Sequence, residues 1–227
     1  MDLILLSTRE VSIAAHHSGR NQILLKFARI QPEDHPECFR EILRLRYNVY
    51  CLERGFEKVS DHPDGLETDV YDNRSVHFAA FYESNGEVAG TVRLIKNSHL
   101  GFPVEKHFGL DLDRMVGCRD QVCEISRLSV PRKYRSDYNI VRGLFECVAL
   151  ESRRLGVTHW CAAMAQGLPR LLSKQDIHLK KIGPEIEFHG PRAPYFGRID
   201  DIASRHNAYA LYRGDLQVGK VASSLAL

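Results

Sequence analysis

Seven charged side chains stand inside apolar stretches of this sequence, where charges are uncommon. They comprise three arginines and four carboxylates, namely Arg46, Arg93, Arg127, Glu67, Asp69, Asp72 and Glu124. Three of the carboxylates follow one another at i, i+2 and i+5, and Glu124 precedes Arg127 by three residues in a run of strand formers. A charged side chain rarely enters a buried strand unless it pairs with another charge or with a ligand. The set is therefore a candidate active site.

The elements that must position these residues alternate along the chain. Apolar periodicity and turn signals predict strands over residues 22–30, 76–82, 87–95, 122–130 and 158–165, with shorter strand-like pieces at 186–188 and 195–199. The same signals predict helices over residues 36–54, 138–155 and 168–178. Asn85-Gly86 predicts a hairpin between the second and third strands, and the acidic stretch 59–72 is predicted to be a loop.

This order predicts an α/β fold with a mixed central sheet flanked by helices. A central hairpin followed by a strand, a long helix and a strand resembles the GNAT-like fold of the N-acetyltransferases. In that fold two parallel strands splay apart, and the acyl donor and the amine acceptor meet in the gap. Here the splayed strands would be residues 122–130 and 158–165. A fold alone does not define a function.

Length and composition limit the classes of protein. A chain of 227 residues, 44% hydrophobic and 26% charged, is typical of one globular domain. We expect an N-terminal extension over residues 1–20, a single domain over 21–214 and a C-terminal tail over 215–227. A formal charge of +2 without long like-charge blocks argues against a general nucleic-acid or membrane role.

The cysteines and the N-terminus indicate the compartment. The six cysteines form no CxxC pair, and several lie in apolar runs, which is typical of reduced core residues. The start of the chain is too short and too soon charged for a signal peptide, and no apolar run reaches membrane-span length. We therefore expect a cytoplasmic protein with no transmembrane segment.

Four motifs in order carry a more specific resemblance. They are Arg46-Tyr47-Asn48-Val49-Tyr50, Glu67-x-Asp69-x-x-Asp72, Gly90-Thr91-Val92-Arg93-Leu94 and Glu124-x-x-Arg127. Their order and spacing are similar to those of the autoinducer synthases, which make acyl-homoserine lactones. The longer strings 46–57 and 64–69 resemble more closely a sister group, the acyltransferases associated with PEP-CTERM/exosortase systems and the long-chain N-acyl amino acid synthases. The resemblance covers about residues 40–165.

Two departures from the related patterns bear on the substrates. Autoinducer synthases carry a tryptophan where this chain has Phe56, in the region that meets S-adenosylmethionine, and this chain has a longer insert before Glu67. Acetyltransferases place a glycine-rich turn around the pyrophosphate of coenzyme A, but segment 131–139 has no glycine here. Its basic residues, Arg132, Lys133 and Arg135, would suit a single phosphate or an acidic protein. This favours acyl carrier protein, through its phosphopantetheine arm, as donor, with acyl-coenzyme A as the other possibility; no bound cofactor is expected.

The chemistry of acyl transfer to an amine suggests roles for the charged set. Glu124 is the preferred general base, with Glu67 second. Arg46, Arg93 and Arg127, with Phe56, would bind the acceptor, or the arginines would instead pair with the carboxylates and hold the acidic loop. Asp69 and Asp72 are expected to belong to such a structural ion network. No His or Cys completes a metal-ligand set, so no metal site is expected.

Three classes of function remain on these grounds. The first is an N-acyltransferase that moves a fatty acyl group from acyl carrier protein to the amine of an amino acid or related small amine. The second is an acyl-homoserine lactone synthase that uses S-adenosylmethionine, against which Phe56 and the longer insert argue. The third is a non-catalytic module that binds acyl chains, against which the retention of Glu124 and all three arginines argues.

Overall fold

A computed structural model describes residues 10–11, 25–175 and 177–203. Its strands are β1 (Glu10–Val11), β2 (Leu25–Ile30), β3 (Ser75–Tyr82), β4 (Val88–Lys96), β5 (Val122–Ser129), β6 (His159–Ala165), β7 (Lys180–Lys181), β8 (Ile186–Glu187) and β9 (Pro191–Arg198). Its α-helices are α1 (Pro36–Tyr47), α2 (Pro103–Phe108), α3 (Tyr138–Arg154), α4 (Gly167–Ser173) and α5 (Ile199–Ala203). Most of the predicted extension 1–20 and all of the predicted tail 215–227 lie outside the described residues.

The strands form one sheet in the order β1-β2-β3-β4-β5-β6-β9-β7, with β8 paired to β9. The pairing of β5 with β6 is parallel, and the other pairings are antiparallel. The β3–β4 hairpin turns at Asn85-Gly86 as predicted, and Gly86 has a φ of 68°, which a glycine adopts without strain. The expected mixed sheet is therefore present.

The splay predicted between two parallel strands is present between β5 and β6. Their register runs only from Val122 opposite His159 to Glu124 opposite Cys161. Beyond Glu124 the strands diverge, and polar main-chain groups along that edge of β5 lose their partner strand. The sheet thus opens at the residue proposed as the general base.

Helices cover both faces of the sheet, and the side chains of β3 pack against helices on both of these faces. Its residues Val76, Phe78, Ala80 and Tyr82 pack in the cluster that contains α3, whereas Ala79 packs with Ile42 of α1 on the other face. This two-residue alternation is the pattern of a strand buried on both sides. At Gly143 of α3 an added Cβ would lie 2.2 Å from the Phe27 ring of β2, so glycine allows this close approach.

The first predicted helix, 36–54, needs a correction. The α-helix ends at Tyr47, and a π-helical turn, Asn48–Glu53, follows it. The amide of Arg54 donates to the carbonyl of Val49 at 3.0 Å, five residues back, before Gly55 ends the turn with a φ of 62°. Such wide turns are often found at functional sites. This one places Tyr50 at the cavities described below.

Three other boundaries differ from the predictions. Helix α2 was not predicted; Pro103 starts it, and the Glu105 carboxylate accepts a hydrogen bond from the Phe102 amide at 3.1 Å. Helix α4 ends at Ser173, before the predicted 178. Strand β9 begins at Pro191 rather than at residue 195, because Pro191 pairs with β8 and the seven residues after it, Pro194 included, pair with β6. Proline lacks an N–H donor, which made this stretch resemble a loop.

The cysteines are reduced, and most of them belong to the core. All six cysteines are free thiols, and four of them are buried. Among the described residues, no helix combines the length and the apolar character that crossing a bilayer requires.

Candidate active site

Asp72 is the centre of a buried ion network. Its carboxylate accepts hydrogen bonds from Arg46 at 2.7 and 3.2 Å and from Nη1 of Arg93 at 2.7 Å. The backbone amide of Asp69 donates to the same carboxylate at 2.9 Å, and the Asp69 side chain pairs with both Nη atoms of Arg93 at 2.5 and 2.8 Å. The network thereby fixes the acidic loop against α1 and β4. Burial would raise the pKa of Asp72, but the two arginines outweigh it and hold the pKa far below its usual range.

Glu67 joins two arginines from different elements. Its carboxylate accepts from Nε of Arg46 at 2.5 Å and from Nη2 of Arg127 at 2.9 Å. Burial opposes ionisation, yet the two guanidinium groups lower the pKa of Glu67 to about 2. Glu67 is therefore ionised at neutral pH, although its side chain is almost fully buried.

Glu124 lies apart from this network. It makes no ion pair with the residues that the structure describes, and its Oε2 accepts from the amide of Val104 at the start of α2, at 2.9 Å. Burial raises the pKa of Glu124 to about 8, although this hydrogen bond and the positive charges of Arg93 and Arg127 act in the opposite direction. A carboxyl group that titrates near neutral pH is suited to proton transfer.

A polar cavity of about 290 Å³ opens in front of Glu124. Charged residues from five parts of the chain line it: Glu57, Asp69, Arg93, Arg127 and Arg192. Its remaining walls carry Tyr50, Tyr71, His107, Ser126, Phe188 and His189, with the first turn of α2. The cavity can hold a small polar molecule beside Glu124.

An apolar cavity of about 450 Å³ lies on the other side of the splay. Aliphatic and aromatic residues of β5, β6, α3 and α4 line it, among them Leu128, Val141, Phe145, Ala162, Met164, Leu168 and Leu172. Arg54, Arg135, Asp137 and Tyr138 also line it. A predominantly apolar cavity of this size suits a hydrocarbon chain.

The two cavities share one wall. Six residues line both of them: Tyr50, Ile125, Ser126, Arg127, Ala163 and Arg192. The register between β4 and β5 shifts beside Arg127, whose φ is 51°. Such a bulge redirects a side chain, and the guanidinium of Arg127 lies over the ring of Tyr50 at 4.9 Å.

The structure divides the predicted site residues into two groups. Glu124, Arg93, Arg127 and Asp69 line the polar cavity, and Phe56 lines the apolar one. A second group lies behind the cavity walls, away from both cavities: Arg46, Glu67 and Asp72. Arg46 is only 1% exposed, and all three of its donor nitrogens contact Glu67 or Asp72.

The basic segment after β5 is partly neutralised within the protein. Lys133 pairs with Glu87 at 2.5 Å, and Arg135 makes two contacts with Glu53 at 2.5 and 2.8 Å. Arg132 is exposed and has no ion-pair partner among the described residues. At the start of α3, the Asp137 side chain accepts a hydrogen bond from the Asn139 amide at 3.1 Å, so a carboxylate already occupies this helix end.

Sequence reasoning missed several residues of the cavity walls. Arg192, His107 and His189 were not singled out, although each lines the polar cavity. Arg192 follows a proline in a stretch that resembled a loop, and no charge pattern surrounds it. Tyr50 belongs to the first motif and could have been found there. His77 has its Nε2 3.2 Å from the carbonyl oxygen of Asp72, and burial lowers its pKa to about 4.

Comparison with known proteins agrees with this geometry. The chain is 27% identical over 158 residues to an acyl-homoserine-lactone synthase of Aliivibrio fischeri, covering 67% of this chain and 80% of that protein. The structure of FeeM, an N-acyl amino acid synthase from uncultured soil microbes, superposes with a TM-score of 0.60 at 14% identity, covering 82% of this chain and 96% of FeeM. The CoA-dependent acyl-homoserine lactone synthase MesI has a TM-score of 0.62 at 17% identity, covering 83% and 94%. At these identities the two structures show the fold.

The family is shown by a match to the sequence itself. The family model described as N-acyl amino acid synthase FeeM matches residues 41–168, which is more than half of the chain. This segment contains all seven residues of the charged set and both splayed strands. The match confirms the resemblance to the N-acyl amino acid synthases, and the superposed structures confirm the GNAT-like fold. The chain belongs to the FeeM family of N-acyl amino acid synthases, and is an acyltransferase that transfers an acyl group to an amine.

Proposed function

We propose that this acyltransferase moves a fatty acyl group from the phosphopantetheine thioester of acyl carrier protein to the amino group of an amino acid. The observation that carries the proposal is the meeting of an apolar cavity and a charged cavity at the β5–β6 splay. The apolar cavity would hold the acyl chain, and the polar cavity would hold the acceptor. The shared wall at Ser126 and Arg127 then brings the thioester and the amine together.

Glu124 is the proposed general base. The amine nitrogen attacks the thioester carbonyl carbon, the C–N bond forms and the C–S bond breaks. The proton leaves the amine for Glu124, directly or through water, and a proton is returned to the carrier thiolate. Unpaired main-chain groups of β5 beyond Glu124 are available to polarise the carbonyl. Glu67, whose pKa is lowered to about 2, is too weak a base for this role and is assigned to positioning Arg127.

The start of α3 supports acyl carrier protein as donor. A pyrophosphate bound there would meet the carboxylate of Asp137, which repels an anion and already accepts the Asn139 amide. The segment before it has no glycine, so its side chains limit close approach of a pyrophosphate. Exposed Arg132, in the same segment, gives an acidic carrier a favourable contact.

Arg46, Asp69 and Asp72 are assigned a structural role, and Arg93, Arg127 and Phe56 a role at the substrates. Arg46 and Asp72 use their polar atoms on each other and on their neighbours, which leaves none facing a cavity. Arg93 and Arg127 pair with carboxylates yet also line the polar cavity. The same network thus supports the loop and forms part of the wall that the acceptor meets.

Acyl-homoserine lactone synthesis is the second candidate. The 27% identity to an acyl-homoserine-lactone synthase favours it. Against it, this chain has Phe56 where those enzymes have tryptophan, and a guanidinium stacks on that ring at 4.4 Å. The two candidate functions differ in the acceptor, which is an amino acid in the first and S-adenosylmethionine in the second.

The test is an incubation of purified protein with acyl-loaded carrier protein, a mixture of amino acids and, in parallel, S-adenosylmethionine. We expect release of free carrier thiol together with an N-acyl amino acid detected by mass spectrometry. Formation of an acyl-homoserine lactone instead would support the second candidate. Efficient turnover with acyl-coenzyme A and none with the carrier protein would overturn the donor assignment.

A further inference from the structure

Arg192 is an arginine of the site with no assigned role. It lies near the start of β9, between Ala165 of β6 and Ile186 of β8 in the sheet register. Its side chain lines both cavities, and its guanidinium carbon is 4.4 Å from the centre of the Phe56 ring. This stacking fixes the plane of the guanidinium while leaving its edges available.

Arg192 is half-buried, and its guanidinium lacks, among the described residues, the carboxylate partners that the other arginines of the cavity have. Its Nε is buried and has no hydrogen-bond partner among the described residues, and no described carboxylate lies within ion-pair distance of it. Burial lowers the pKa of Arg192, as does the nearby charge of Arg127, whereas Tyr50 and Glu57 act in the opposite direction. An arginine does not give up its proton in a protein, so the positive charge of this half-buried guanidinium favours the binding of an anion.

The other arginines of the site differ in this respect. Arg46 and Arg93 each contact two carboxylates, and Arg127 contacts Glu57, Glu67 and Asp69. Their charges are compensated within the protein. Arg192 is therefore the guanidinium of the polar cavity, among the described residues, that can accept a ligand carboxylate without breaking an existing ion pair.

We propose that Arg192 binds the carboxylate of the acceptor and thereby selects amino acids over amines that lack a carboxylate. This rests on the proposed function and names the group that sets its acceptor class. The planar fork of a guanidinium matches a carboxylate with two parallel hydrogen bonds. Glu124 lines the same cavity. An amino acid whose carboxylate binds Arg192 therefore has its α-amino group in the cavity that contains the proposed base.

The test compares wild type with Arg192→Gln in steady-state kinetics at saturating acyl carrier protein. The acceptors are the standard L-amino acids and their carboxamides. Loss of a charge-assisted pair should raise the acceptor KM on the order of 10- to 100-fold, with the donor KM unchanged. The preference of wild type for amino acids over carboxamides should disappear in the variant. Arg192→Lys, which keeps the charge but not the fork, should be intermediate.

Arg198→Gln is the matched control, because Arg198 lies on the same strand, is 57% exposed, pairs with Asp200 and lines neither cavity. It should leave both KM values unchanged. An unchanged acceptor KM in Arg192→Gln, or a change confined to the donor KM, would overturn the proposal. Ligand-observed NMR of the same compounds gives a readout without turnover. If the wild type binds these compounds only when they carry a carboxylate, and Arg192→Gln does not bind them, the role of Arg192 is supported. If in addition no amide forms with either protein, only the proposed function is rejected.

Discussion

Glu67 and Glu124 are both almost fully buried, yet their neighbours give them opposite protonation behaviour. Two arginines contact Glu67 and lower its pKa to about 2, whereas Glu124 has one backbone amide as partner and burial raises its pKa to about 8. Two carboxyl groups whose environments separate their pKa values in this way are typical of an acid–base site with a structural partner. The roles proposed for them follow from this contrast.

Replacing Glu124 by Gln tests the proposed base. The change keeps size and shape but removes proton acceptance, so kcat/KM should fall by roughly 10²–10⁴-fold. In wild type, kcat/KM should rise as the pH increases through about 8, because the base must be deprotonated; Glu124→Gln should lose that rise. Near-normal turnover of the variant would exclude Glu124 as an essential base.

Glu124→Gln, which should lower activity, should raise stability at high pH. The pKa of Glu124 is raised in the folded protein above its unfolded value, so the native state binds more protons between about pH 4.3 and 8. The stability associated with protonated Glu124 is fully present below this window and is lost as the pH rises through about 8. Thermal melts should therefore show Glu124→Gln gaining stability relative to wild type from pH 5 to pH 9. A difference that does not depend on pH would contradict the assigned environment.

Asp72→Asn should chiefly affect stability. It leaves Arg46 and Arg93 without the carboxylate that both share, and breaking a buried pair typically costs about 3–5 kcal/mol. Urea unfolding would measure the loss. Asp113→Asn is the control, because Asp113 is 64% exposed in its pair with Arg119 and such pairs contribute only ~0–1 kcal/mol. Equal losses in the two variants would show that Asp72 is not the centre of the network.

At the residue scale, the sequence indicated which charged residues belong to the site but not which of them line a cavity and which lie behind its wall. All seven stood out because a charge inside an apolar stretch needs a partner. Which arginine lines a cavity depends on the packing of residues distant in the chain, so Arg46 and Arg127 could not be distinguished. Arg192 was missed for the same reason, since its environment is formed by Phe56 and the β5–β6 splay.

At the scale of elements, the site depends on irregularities in otherwise regular structure. The π-helical turn positions Tyr50, the shift beside Arg127 redirects its side chain, and the divergence of β5 from β6 opens the space between them. The strands and long helices could be predicted, because their apolar periodicity is strong. The irregularities could not, because tertiary packing rather than local sequence decides them; α2, with six residues, was too short to show a period.

Ala162→Leu tests whether the apolar cavity sets the length of the acyl chain. Ala162 is buried on β6 and lines this cavity, so a larger side chain fills part of it. The ratio of kcat/KM for hexadecanoyl over octanoyl carrier protein should fall on the order of tenfold or more. Ala162→Gly, which enlarges the cavity, should not lower that ratio. An unchanged ratio in Ala162→Leu would place the chain elsewhere.

At the scale of the whole molecule, a net charge of only +2 leaves the proposed recognition of the carrier protein to local charges. Arg132 is the member of the basic segment that has no ion-pair partner among the described residues, since Lys133 and Arg135 pair with Glu87 and Glu53. Arg132→Glu should lower kcat/KM for the acyl carrier protein about tenfold at low ionic strength and flatten its salt dependence, with kcat unchanged. Arg40→Glu, an exposed change on α1, is the control. Equal effects of the two variants would indicate a general charge effect rather than docking.

In the proposed mechanism, the reacting groups meet where the two cavities join at the β5–β6 splay. The most direct measurement is a crystal structure of the protein bound to an N-acyl amino acid. We expect the hydrocarbon chain in the apolar cavity, the carboxylate in the polar cavity, and the amide nitrogen within direct or water-bridged hydrogen-bond reach of Glu124. A chain bound outside the β5–β6 gap, or an amide remote from Glu124, would contradict this mechanism.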